Sequence, residues 1–160
     1  MSQFDTNWSF INEGDLKPEG FFFAGISAGL KISKKKDLAL ILAPEGSICS
    51  GMFTQSRVRA SCVEICEQRI KKCSGLIRAI LINSGQANAC TGNFGTQHFL
   101  IATSKISELL GIEEEEVLMC STGVIGVPIP INDLVKNLPK LVSELKVNSF
   151  ENAAEAILTT

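Results

Sequence analysis

Apolar residues along this chain fall into two kinds of run. Residues 38–43 (LALILA), 77–82 (IRAILI) and 117–120 (VLMC) are short and nearly unbroken. That pattern suits strands covered on both faces, and each is expected to be a strand. Pro44-Glu-Gly46 is a turn signal after the first run, so residues 49–53 (CSGMF) are expected to form a further strand, with possible continuation to Val58. Residues 20–29 (GFFFAGISAG) mix three aromatics with glycines, which points to close backbone packing at a strand edge or bend. The other kind of run is helical. Phe99, Ala102, Ile106 and Leu109/Leu110 recur at helical spacing, and Gly111 supplies a stop, so a helix is expected over about Gly95–Leu110. A second carries Leu134, Val135, Leu138, Leu141, Val142 and Leu145, capped by Asn132 or Asp133 and kinked or restarted at Pro139. Ser149 is placed to cap a last helix, Phe150 to Leu158. Residues 60–72 (ASCVEICEQRIKK) are spaced ambiguously and read as a strand running into a short helix. Loosely alternating strands and helices predict a mixed α/β layered fold.

Composition narrows this picture without naming an activity. With 45% hydrophobic and 20% charged residues, the 160-residue chain has enough apolar side chain to fold as one domain or a large piece of one. Fifteen Lys+Arg against 17 Asp+Glu leave a net charge of −2, which gives no electrostatic reason to expect nucleic acid. Lys34-Lys35-Lys36 reads as a solvated turn, and Glu113 to Glu116 as an exposed face or helix start. Residues 1–19 form a polar, mildly acidic extension, unlike a secretory signal or transit peptide, and no apolar run approaches the ~20 residues that cross a bilayer. No membrane association and a cytoplasmic location are therefore expected. Cys49, Cys62, Cys66, Cys73, Cys90 and Cys120 include no Cys-x-x-Cys pair and face a single histidine, His98. They are read as small buried hydrophobes with reduced thiols, and no metal or redox role is expected of them. Neither a Walker motif nor Gly-x-Gly-x-x-Gly occurs.

The candidate chemistry lies in two polar segments that follow apolar strands. They are Asn83 to Gly92 (NSGQANACTG) and Ser121 to Gly126 (STGVIG). Small residues let backbone N–H groups approach a ligand and hydroxyls add donors, as an oxyanion hole requires. Gly/Ser/Thr segments also make plain turns. A conventional nucleophile is missing: there is no Gly-x-Ser-x-Gly elbow, and His98 falls inside the expected helix, at its surface or boundary. Cys90 and Cys120 adjoin the two segments, but no base is evident beside either. The residues therefore suggest stabilising groups without an attacker.

From about Gly20 onward the chain resembles the N-terminal (α-chain) part of the ornithine acetyltransferases, the bifunctional glutamate N-acetyltransferases of arginine biosynthesis. The carriers of the resemblance are Gly25 to Lys31 (GISAGLK), Lys36 to Leu40 (KDLAL), Met52 to Thr54 with Arg57-Val58, the NSGQANACTG and STGVIG segments, and Ala156 to Thr160 (AILTT). The resemblance implies that family's fold, with residues 20–160 a truncated α-chain domain. It also implies precursors that cut themselves at an Ala-Thr bond into α and β chains, the freed threonine then moving acetyl from N-acetylornithine to glutamate through an acetyl-threonine intermediate. Some members also accept acetyl-CoA, no metal or prosthetic group is needed, and the expected assembly is α2β2. Carried over residue by residue, Thr122 (hydroxyl) and Gly123 (backbone N–H) match the oxyanion hole, and Thr159 matches a substrate-binding threonine. The family's Lys-Gly-Ser-Gly-Met and Ala-Thr-Met-Leu segments do not occur here, and Ala102-Thr103 lacks the following Met-Leu. The expectation is an oxyanion hole whose attacking threonine comes from a β portion, with the isolated chain inactive. A non-catalytic, amino-acid-binding remnant of the family and a related self-processing hydrolase stay open as alternatives.

Overall fold

A computed structural model describes residues 18–159. The polar extension expected over residues 1–19 therefore lies, except for its last two residues, outside the described residues, as does Thr160.

Four strands form one sheet in chain order: β1 (Phe22–Ile26), β2 (Leu38–Leu42), β3 (Ala79–Gln86) and β4 (Val117–Val124). β1–β2 and β2–β3 are antiparallel, whereas β3 and β4 run parallel from Ala79↔Val117 to Gln86↔Val124. Parallel strands need a long crossover, and here it contains α2 (Gly92–Leu110). With α1 (Ser61–Lys72), α3 (Ile131–Ser143) and α4 (Phe150–Ala156) this is the mixed α/β architecture expected.

The pleat sorts side chains between two cores. Ala24, Leu38, Leu40, Ala79, Leu81, Val117 and Met119 pack with Cys62 and Cys66 of α1, Phe99 and Ile106 of α2, and Leu134, Leu138 and Leu141 of α3. A smaller cluster on Phe23 and Ala39 packs with Ala153 and Ala156 of α4. Close packing at 20–29 is borne out at Gly25, where a Cβ would lie 2.0 Å from the Asn152 carbonyl oxygen.

Four expectations need correction. Residues 49–58 form no strand: a single bridge, Ile48↔Leu76, replaces it. Among the described residues both outer strands are partly covered, with Lys146 pairing with Phe23 of β1 and Cys66 and Arg69 of α1 donating to Met119 O and Val117 O of β4. Residues 60–72 contain no strand, since helix starts at Ser61. Its buried face is Cys62, Cys66 and Arg69, an i, i+4, i+7 stripe hidden from an apolar count by its arginine. Arg69 donates to Val117 O (2.6 Å), pairs with Glu114 (2.8 Å) and stacks 4.9 Å from the Phe99 ring centroid. Pro139 does not restart α3, which runs unbroken through it, and the N-cap is Pro130 rather than Asn132 or Asp133; Pro139 is exposed, where a lost backbone bond can be made good by water. Ser149 does sit at the N-cap of α4, without a side-chain cap bond, and that helix ends at Ala156.

The cysteine reading holds only in part. All six are free, but only Cys62 and Cys66 are buried, with Cys90 and Cys120 exposed. Among the described residues no helix is long and apolar enough to cross a membrane, and no cluster of metal-ligating side chains is present.

Candidate active site

The two polar segments begin inside strands. Asn83 to Gln86 are the last residues of β3, and Ser121 to Val124 the last of β4, in register as Asn83↔Ser121, Ser84↔Thr122 and Gly85↔Gly123. Beyond the strands they stay joined, by Ala87 N to Val124 O (2.9 Å) and Gly126 N to Ala89 O (2.8 Å). Segments 38 residues apart thus form one structure at the C-terminal end of the parallel pair. Ligands collect at such ends in α/β sheets.

Glycine is needed where they touch. Gly123 has φ +133°, and a Cβ there would lie 2.3–2.4 Å from the carbonyl of Gly85. Gly85 itself has φ +118°. The paired glycines let the two backbones approach, and the positive φ of Gly123 interrupts regular strand geometry within β4, which runs on to Val124. Thr122 is half-buried and Gly123 exposed. Strand alternation places the Thr122 side chain on the face of Ser84. Ser84 is fully buried and donates to Ala156 O at 2.6 Å, tying β3 to the end of α4.

Thr159 lies just past that helix, exposed, in the wall of a cavity of about 380 Å³ shared with Lys31, Gly85, Gln86 and Val124. Lys31 Nζ donates to Leu158 O at 2.5 Å and holds the segment leading to Thr159. Thr122 and Gly123 adjoin this cavity through Gly85 and Val124 rather than lining it themselves. On the other side, Cys120 and Ser121 line a second cavity of about 320 Å³ with Cys62, Cys66 and Met119. The bend at 122–123 therefore stands between two cavities, with Thr159 in one of them.

The wall residue Lys31 is held by a group that sequence reasoning passed over. Asp37, fully buried, accepts N–H bonds from Ala28 (2.6 Å), Leu30 (2.6 Å) and Lys31 (2.9 Å), folding the GISAGLK segment around one carboxylate. Gln86 adds an Nε2 bond to Leu30 O at 2.9 Å. The available signal was an acid placed directly before an apolar strand and shortly after a glycine-rich stretch. Asn88, almost fully buried with φ +49°, bonds Gly95 O and Thr91 and shapes the entry to α2.

Of the thiols, Cys90 and Cys120, which adjoin the two segments, are both exposed, and desolvation raises that of Cys120 above its ordinary value. Burial pushes the Cys66 thiol up to about 12 and raises that of Cys62 as well. Such thiols are protonated and inert at neutral pH. His98 is half-buried on α2, its Nδ1 lacks a partner, and burial holds its imidazole below the ordinary value. This fits the boundary-residue reading.

A family model, the ArgJ family, matches residues 22–160. The chain belongs to the ArgJ family. Among ArgJ relatives, the arginine biosynthesis bifunctional protein ArgJ of Prochlorococcus marinus subsp. pastoris is 76% identical over 150 residues, which is 94% of this chain and 37% of that protein. That of Synechocystis sp. is 42% identical over 154 residues, 96% and 37% of the two. The chain thus spans 37% of the length of these curated ArgJ relatives. Two solved ArgJ-type structures share the fold. The ornithine acetyltransferase of Mycobacterium tuberculosis, complexed with ornithine, superposes with a TM-score of 0.85 at 34% identity, covering 89% of this chain and 77% of that one. ArgJ from Bacillus halodurans gives 0.82 at 31%, covering 89% and 73%.

Proposed function

We propose that this chain supplies the oxyanion-stabilising part of a glutamate N-acetyltransferase of arginine biosynthesis. The observation that carries the reading is the Thr122–Gly123 bend: a hydroxyl and a glycine amide at the end of β4, beside a cavity that contains Thr159. In this reading a threonine from polypeptide outside these 160 residues attacks the acetyl carbonyl of N-acetylornithine, its own α-amine taking the hydroxyl proton. The carbonyl oxygen becomes an oxyanion and accepts hydrogen bonds from Thr122 Oγ1 and the Gly123 N–H. Collapse breaks the amide bond, returns the proton to the leaving amine and releases ornithine, leaving acetyl on the threonine. The amine of glutamate then attacks that ester through a second oxyanion in the same place; collapse breaks the ester C–O bond, the amine's proton passes by way of the α-amine to the threonine oxygen, and N-acetylglutamate departs. Thr159 contacts substrate from the cavity wall. Acetyl-CoA is a further acetyl donor in the reading, the assembly is α2β2 with a β chain, and the location is cytoplasmic.

Support comes from family membership, from the likeness to an ornithine acetyltransferase whose crystals contain ornithine, and from the joining of both motifs at one sheet end. The test is acetyl exchange between N-acetylornithine and glutamate. This chain is co-expressed with the remaining part of an ArgJ polypeptide, and Thr122→Ala is compared with wild type. Removing one oxyanion donor is expected to lower kcat by about 10²–10³ with the complex intact. Wild-type kcat in Thr122→Ala would remove the hydroxyl from the mechanism. Exchange by the 160-residue chain alone would show that no outside threonine is required.

A further inference from the structure

The row of side chains that β3 turns toward the larger core reads Ala79, Leu81, Asn83, with the asparagine as buried as the leucine. A carboxamide there is unfavourable compared with an aliphatic side chain unless both its ends are hydrogen-bonded. Both are. Asn83 Nδ2 donates to Gln86 O at 3.0 Å, and Asn83 Oδ1 accepts from Ser121 Oγ at 2.6 Å. The first bond holds the chain where β3 ends; the second reaches across to β4 at the residue immediately before Thr122. Between them they span the site at which Gly85 and Gly123 press together.

We propose that Asn83 is a positioning residue for acetyl transfer: its buried carboxamide, clamped between Gln86 O and Ser121 Oγ, fixes the direction in which the Thr122 hydroxyl and the Gly123 amide point. This rests on the oxyanion reading of Thr122 and Gly123 given above. Asn83 touches no reacting atom and acts through Ser121 and the backbone that follows it. The need for such a brace follows from the geometry of the bend. A residue at φ +133° lies outside regular strand geometry, so the ladder alone does not set its amide direction. An oxyanion hole is effective only when its donors are aimed in advance at the position the charge will occupy. A rotation of the Thr122–Gly123 peptide leaves the cavity and Thr159 in place, so substrate affinity is preserved while the transition state loses its donors.

The experiment uses the assembled enzyme and reads kcat and KM for N-acetylornithine separately, with thermal stability measured on the same samples. Ser121 is the accessible end of the clamp, being half-buried, and Ser121→Ala removes its hydroxyl without emptying the core. Its kcat is expected to fall about tenfold, less than for removal of a donor itself, with KM within about twofold of wild type. Ser121→Thr restores the hydroxyl and is expected to restore kcat. Asn83→Ala should fall at least as far, and because both residues serve one clamp, the double variant should be no slower than Asn83→Ala. If Asn83→Ala fails to fold, the Ser121 pair alone decides. Unchanged kcat in Ser121→Ala overturns the proposal, and so does a loss that Ser121→Thr fails to restore or that KM shares equally. The two readings fail differently. If Thr122→Ala is slow but Ser121→Ala is not, only the positioning role falls; if wild-type enzyme shows no exchange, or Thr122→Ala is as fast as wild type, the oxyanion reading falls and takes this one with it.

Discussion

The meeting of Gly85 and Gly123 is the narrowest point in the candidate site, and it makes Gly123→Ala a stringent test of the geometry. The new methyl would lie 2.3 Å from Gly85 C, 2.4 Å from Gly85 O and 2.7 Å from Gln86 N, all of them backbone atoms that cannot rotate away. Two responses are open. If the bend stays, the residue keeps φ +133°, a conformation costing about 1–3 kcal/mol outside glycine, and adds an overlap costing about 1–3 kcal/mol more. If the end of β4 lets go instead, the Ala87–Val124 and Ala89–Gly126 backbone bonds are lost, at about 1 kcal/mol each. The cheaper route sets the result, so the expected destabilisation is at least ~2 kcal/mol. With a urea slope of roughly 2 kcal/mol per molar, the unfolding midpoint should fall by about 1 M or more. Gly126→Ala is the control: it also has positive φ (+78°), but nothing lies within 4 Å of its added carbon. It should lose only about 1 kcal/mol, from backbone conformation alone. Amide exchange then identifies the route, since release of the strand end exposes Ala87 and Gly126 N–H while leaving the β2–β3 ladder protected. Equal midpoints for the two variants would refute the close approach of the strands and the shape of the bend derived from it.

Asp37→Ala removes the acceptor shared by three N–H groups, two of them in fully buried bonds, and is expected to cost about 3 kcal/mol or more. Limited proteolysis should then cut within residues 28–34 while the helices stay resistant. With a thiol reagent at pH 8, exposed Cys90 should react within minutes, whereas Cys66, held near 12, is roughly 10⁻⁴ thiolate and should react only on unfolding. The same shift fixes a sign. A thiol whose folded pKa lies above its ordinary value of 9.0 stabilises the fold below about pH 9, and that contribution is lost as pH rises toward 12. Urea midpoints should therefore fall over that range, and the fall should be shallower in Cys66→Ala. Arg69→Ala leaves Val117 O and Glu114 without their partner and takes packing from Phe99; a loss of about 3 kcal/mol or more is expected by urea unfolding.

What sequence reading recovered, and what it missed, follows from the kind of signal each element carries. Strands buried on both faces announce themselves by unbroken apolar runs, and β2, β3 and β4 were legible on that ground. α2 was legible because Gly111 takes the left-handed conformation at its end, with φ +65°. Residues 49–58 resembled a strand only locally, and whether a strand forms there depends on a free sheet edge, which local pattern does not contain. α1 was obscured by Arg69, a charge buried because it pairs with Glu114 and the β4 backbone, partners 45 and 48 residues away in sequence.

The candidate site shows the same limit in a more useful form. Polar residues at 83–86 and 121–124 were read as loops following strands because polarity usually marks exposure. The strands in fact continue through them, and Asn83 and Ser84 are wholly buried. Continuation changes what the residues can do. In a loop, Asn83, Ser84, Ser121 and Thr122 would point independently; in a parallel pair the alternation of the pleat sends Asn83 and Ser121 to one face and Ser84 and Thr122 to the other. One pair braces the bend from the core side. The other places Thr122 beside the serine that anchors the end of α4, and hence on the side of the sheet where Thr159 follows. A group one position out of register along β4 would reverse both assignments, so inserting a single residue between Val117 and Ser121 should abolish acetyl exchange in the assembled enzyme even where the inserted chain still folds. Exchange surviving that insertion would mean that the order of side chains along β4 is not what aims the donors.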